Sequence, residues 1–78
     1  MKITEISCED WQAFYFDGKK VCEDHIINAY DIILKIKEYS KTNLITYIDF
    51  ETIELEDNEM TDKLIPLDDN LEELKKKL

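Results

Sequence analysis

Arginine is absent from this chain, so its cationic charge rests on ten lysines, set against nineteen acids for a net charge of −9. Without a guanidinium fork, and with a field that repels phosphate, direct nucleic-acid binding is argued against; the attraction runs instead toward basic protein surfaces. Glycine occurs once, at Gly18. No glycine-rich loop therefore exists to gather backbone amides around a phosphate or an oxyanion. Histidine also occurs once, at His25, and cysteine twice, at Cys8 and Cys22. A structural zinc site normally takes four such ligands, so the Cys22-x-x-His25 spacing with Cys8 in reserve falls short, and no metal is expected. No apolar run approaches the roughly 18 residues that cross a bilayer, and Glu5, Glu9 and Asp10 interrupt the amino terminus where a secretory signal would be apolar. The expectation is a cytoplasmic protein, away from membranes, with reduced thiols.

What the chain does contain is enough for one small core. At 78 residues with 44% hydrophobic content it reads as a single domain, residues 1–78, too small for a cleft between two domains. Eleven isoleucines and eight aromatic residues supply the bulk. Lys2 to Ile6 alternates weakly and suits a strand. Trp11 to Phe16 and Lys19 to Cys22 flank Asp17-Gly18, the signature of a two-residue hairpin turn in which both central residues take positive φ. A regular register then pairs Phe16 with Lys19, Tyr15 with Lys20, Phe14 with Val21 and Ala13 with Cys22.

From Asn28 the period changes. Ala29, Ile32, Ile33 and Ile36 recur at helical spacing with Tyr39 on the same side, Asn28 is a suitable N-cap, and the helix is expected to end before Thr42-Asn43. Leu44 to Leu55 is rich in strand-forming residues, but its alternation changes phase between Tyr47 and Ile48, which predicts a bulge or kink. Asp57 to Lys63 is ambiguous between a helical turn and a loop closed by Pro66. Asp69-Asn-Leu-Glu72 resembles a capping box, opening a terminal helix with Leu71, Leu74 and Leu78 on one side and three lysines at its end. The fold class that follows is α+β: a small antiparallel sheet, one amphipathic helix across it, and a short carboxy-terminal helix.

Two features carry a functional reading. The hairpin is aromatic on both faces, with Phe14, Phe16 and Val21 on one and Trp11, Ala13, Tyr15 and Cys22 on the other, and one helix covers only one face. Either the carboxy-terminal segment or the first strand folds over the second, or Trp11 and Tyr15 form a patch for a partner or a homodimer. The other feature is the segment from Asp49 to Asp62, which holds seven carboxylates and no lysine. Asp49, Glu51, Glu54, Glu56, Asp57, Glu59 and Asp62 are either the solvated edge of a strand and loop, or a row of charge that imitates a nucleic-acid backbone and docks on a basic protein. A calcium loop is excluded because no glycine falls within the segment. His25 beside Cys22 is too generic a pair to name a catalyst, so no enzymatic activity, catalytic residue or cofactor is expected.

Trp11, then Tyr15-Phe-Asp17-Gly18-Lys19, Val21 and His25 leading into Asn28, resembles the opening of short uncharacterised proteins encoded by bacteria and their phages. The likeness spans residues 11–28 and implies no particular chemistry. It implies a phage or mobile-element accessory protein. The acidic segment itself is what a phage inhibitor of host defence, an immunity protein or an antitoxin would use to dock on a basic surface. The functional expectation is a non-enzymatic protein that blocks a basic, nucleic-acid-binding surface; the alternative is an oligomeric sponge for a small molecule or nucleotide.

Overall fold

Asp17 and Gly18 both adopt positive φ, 49° and 85°, and this pair closes the hairpin around which the rest of the chain is arranged. In the computed structural model, which describes Met1 to Leu78, β1 (Lys2–Cys8), β2 (Trp11–Phe16) and β3 (Lys19–Asp24) form a meander. A helix, α1 (Ala29–Ser40), leads to β4 (Asp49–Glu54), a single turn α2 (Glu59–Asp62) and the terminal α3 (Leu71–Lys77). The sheet order is β3-β2-β1-β4.

The chain is α+β as expected, with one difference in the sheet: β4 pairs with β1 in parallel, from Lys2 beside Asp49 to Ser7 beside Glu54. The cause is topological. β1 and β3 run the same way, and a single crossing helix returns the chain to their starting end, so the next strand repeats their direction.

The hairpin register also departs from regularity. Phe16 pairs with Lys19 and Tyr15 with Lys20, but a bulge follows and Phe14 then pairs with Cys22, Ala13 with Glu23 and Gln12 with Asp24. Val21 is the extra residue, and the shift brings Glu23 level with Ala13 on the face that carries Trp11 and Tyr15.

Both faces of the sheet are covered. On one, Ile3, Phe14 and Phe16 are buried beneath Ile27, Ile32, Ile36 and Tyr39, with Val21 and Cys22 packed alongside. On the other, Ile6, Ala13 and Tyr15 meet Leu67, Leu71 and Leu74 of the carboxy-terminal segment, with Trp11, Ile53 and Leu55 at the margin. The two coverings are unequal. α1 contributes no fully buried residue, whereas α3 buries Leu71 and Leu74.

Polar bonds fix the second layer in place. The Tyr15 hydroxyl donates to the Asp68 carbonyl at 2.6 Å, and the Glu23 carboxylate accepts from Leu67 N at 2.9 Å. Lys20 N donates to the Asp69 carbonyl and Leu71 N to the Gly18 carbonyl, each at 2.8 Å. Helix starts follow the side-chain capping rule. Asn28 accepts from Asp31 N, and Asn70 accepts from Glu72 N and Glu73 N. The cap of α3 thus falls on Asn70, because Asp69 is already engaged by Lys20 through its carbonyl and its carboxylate.

Candidate partner-binding surface

Tyr15 is fully buried and its hydroxyl is bonded to Asp68, so it belongs to the interior and not to a contact patch. Burial, with the Glu23, Asp68 and Asp69 carboxylates nearby, raises its pKa further above the ordinary phenol value. Trp11 is half-buried: its indole N–H donates to Glu23 at 2.9 Å, and its ring meets His25 edge-on at 4.9 Å. The exposed aromatic patch is therefore corrected to a covered face. The carboxy-terminal segment that lies over it has Leu67, Leu71 and Leu74 as its apolar contacts.

Glu23 gathers this face. It accepts from the Trp11 indole, from Lys20 Nζ at 2.6 Å and from Leu67 N. Burial alone would push its carboxyl up, but the bonds from Leu67, Lys20 and Trp11 outweigh that and hold its pKa below the usual carboxylate value. Cys22 and His25 do not form a pair. Cys22 packs on the α1 side of the sheet, where burial raises its thiol pKa, while His25 lies against Trp11 with Nδ1 3.1 Å from the Asp10 carbonyl. Cys8, Asp10, His25, Asp57 and Asp62 line an open groove beside Trp11, but no three metal-ligating side chains converge anywhere in the molecule. Both cysteines are free thiols.

The seven carboxylates of the acidic segment do not make one row. Asp49, Glu51 and Ile53 share the face of Thr4 and Ile6, while Phe50, Thr52 and Glu54 share the face of Ile3 and Glu5. Glu56, Asp57, Glu59 and Asp62 follow in the loop and in α2. Glu51 is held internally, accepting from the Thr4 hydroxyl at 3.0 Å with Lys2 Nζ at 3.4 Å. The Thr4 bond is the first cause of its lowered pKa. A continuous imitation of a phosphate backbone is therefore corrected to two groups of charge on a strand that splits them by face, and a loop. Asp49, Glu54, Glu56, Asp57, Glu59 and Asp62 are exposed and make no ion pair.

A second surface is one that the sequence pattern does not single out. Tyr47, Ile48 and Phe50 are 70%, 48% and 55% exposed, and Leu44 is 92% exposed. The α1 helix lies toward β3: Leu34 and Lys35 line a groove with Cys22 and Glu23. Ile33, on the opposite flank of the helix, is consequently 61% exposed, although its spacing placed it inside. Phe50 sits directly beside Ile3 in the parallel ladder, on the α1 face, but is not part of the cluster that α1 covers. The strand that carries it is an outer one, with β1 on a single side. The phase change at Tyr47-Ile48, which predicts a bulge or kink, instead falls just before β4 begins at Asp49.

No family model matches this chain, and neither a curated protein nor a solved structure matches it. No helix is long and apolar enough to cross a membrane.

Proposed function

We propose that this chain is a non-enzymatic binding protein that occupies a basic surface of another protein, in the manner of a phage inhibitor of host defence or of an immunity or antitoxin protein. The single observation that carries the reading is the juxtaposition at β4: exposed acids without ion partners, at Asp49 and Glu54, beside the uncovered apolar side chains of Tyr47, Ile48 and Phe50. A folded domain leaves both kinds of group unsatisfied together where a partner supplies the complement: charge for steering, apolar area for affinity.

The loop acids Glu56, Asp57, Glu59 and Asp62 extend the same field along the surface. Under this reading the contact centres on Phe50, and Trp11 serves the fold. A nucleic-acid-binding protein is the natural target, since it exposes the largest basic surfaces.

Affinity capture from the source cell at about 50 and 500 mM salt tests the reading, because screened charges release a sterically matched but electrostatically guided partner. Recovery of a basic protein at low salt only, abolished by combined Asp49→Asn, Glu54→Gln and Phe50→Ser, is the expected result. A protein that instead gains thermal stability with a metabolite or nucleotide, and captures nothing basic, overturns it.

A further inference from the structure

The two edges of the sheet are not alike. β3 is partly closed, since Lys20 N is taken by the Asp69 carbonyl and Lys19 bridges to Asn70. β4 is open along its length. Asp49 N donates to the Met1 carbonyl and Leu55 N to the Ser7 carbonyl, so the odd-numbered residues turn their backbone groups toward β1. In a strand these directions alternate, which leaves the N–H and C=O of Phe50, Thr52 and Glu54 facing outward with no strand beside them.

We infer that the outer edge of β4 accepts a further strand, an extended segment of a basic protein that sets an apolar side chain beside Phe50 and basic side chains beside Asp49 and Glu54. This rests on the reading of a basic partner and specifies how that partner is held. Strand addition supplies backbone hydrogen bonds for affinity and alternate side chains for specificity, and it needs an edge that is open, without a bulge and free of proline. β4 meets those conditions, and its two faces ask for different things. On the α1 face the added strand would cover Phe50 and reach Glu54 four residues on; on the other it would meet Asp49, while Glu51 is already satisfied by Thr4 and Lys2.

Charge selects the occupant. If two copies paired through β4, the carboxylates of Asp49, Glu51 and Glu54 would be gathered along one seam with those of the other chain, and each chain carries a net −9. Like charges gathered on neighbouring strands repel and destabilise the pair. The acids that guard this edge against a second copy are the groups that favour a lysine- or arginine-bearing strand.

The test uses an acetylated, amidated peptide, Thr-Lys-Val-Thr-Thr-Val-Lys-Thr, about eight residues and so the length of a common strand, which sets valine beside Phe50 and lysine beside Asp49 and Glu54 in either strand direction. Its counterpart is the same sequence N-methylated at every residue, which keeps the charge and removes the backbone donors. Expected are binding of the first peptide at about 50 mM salt, at least about tenfold weaker binding of the second, and slowed amide exchange at Phe50, Thr52 and Glu54 on binding. Thr52→Pro removes an outward N–H and the hydroxyl that donates to Glu5 at 3.0 Å, and should weaken binding at least about tenfold, whereas Thr52→Val removes the hydroxyl alone and should change it less than about threefold. If Thr52→Pro fails to fold, the N-methylated peptide and the exchange pattern decide without it. Equal binding of both peptides with unchanged exchange would overturn the strand addition while leaving a basic partner held by charge. No binding of either peptide, or a concentration-dependent dimer that protects the same amides, would overturn it as well, the dimer in favour of a second copy.

Discussion

Glu23 shows how one side chain comes to govern a layer. It is the common acceptor for Trp11, Lys20 and Leu67, so it joins the aromatic face of the hairpin to the segment that covers it. Replacing one member of such a set leaves the others unpartnered, at about 1–3 kcal/mol each where they are buried. Glu23→Gln keeps the shape but lets one position donate where acceptance is needed, and a loss of about 1–3 kcal/mol in urea unfolding at pH 7 is expected. The pH dependence has a definite sign. The folded-state pKa of Glu23 lies below its unfolded value of 4.5, so its stabilisation is fully present above that value and is lost as pH falls through the lower folded one. Asp17 behaves the same way, because Lys2 N and then the Tyr39 hydroxyl hydrogen-bond to its carboxylate and lower its pKa. Unfolding on acidification should therefore be shallower in Glu23→Gln than in the parent, measured as the urea midpoint between pH 6 and pH 3. Beside Asp17, Gly18 presents a different case. Nothing lies within 4 Å of where its Cβ would be, so Gly18→Ala tests backbone strain alone, with an expected cost of about 1–2 kcal/mol.

Among the elements, the contrast lies between the two helices that cover the sheet. Leu74 of α3 is fully buried, so Leu74→Ala should cost about 2–5 kcal/mol. Ile36 of α1 is only partly covered, and Ile36→Ala should cost less, which paired thermal melts would resolve. The same contrast marks what was legible in the sequence. α1 was readable in period and in its Asn28 cap because both are local, but its lateral position over β2 and β3 was not, and that position is what exposes Ile33. The strand expected from Leu44 begins only at Asp49. β1 begins at Lys2, and the Met1 amino group already takes the Tyr47 carbonyl, so residues 44–47 have no strand to pair with. The bulge at Val21 and the move of the α3 cap to Asn70 depend on contacts with the distant Leu67–Asp69 segment, and no window along the chain contains them. The need for a cover over Tyr15 was legible from alternation; the identity of the cover depended on which apolar segment remained. Of the candidate surface, the charge is legible because it is compositional, whereas the exposure of Phe50 depends on how the helix and the sheet come together and is written in no local window.

For the whole molecule, charge is the property that acts at every distance. Six unpaired acids in the Asp49 to Asp62 segment, within a net −9, repel one another in the compact state more than in an extended chain. Ion pairs such as Lys77 with Asp68 and Lys76 with Glu73 are exposed and contribute little against this. Salt screens both terms, but the repulsion is summed over many charges while each surface pair contributes at most about 1 kcal/mol. Stability should therefore rise with ionic strength, seen as a higher Tm at 500 mM than at 20 mM sodium chloride, whereas binding to a basic partner should weaken over the same range. Neutralising the acids by Asp49→Asn, Glu54→Gln and Asp57→Asn separates the two effects. The variant should gain stability at low salt, lose most of the salt dependence of its Tm, and lose the partner. A variant whose Tm falls on neutralisation would mean that these carboxylates serve the fold of the chain itself, and the openness of the β4 surface would then have to be explained without them.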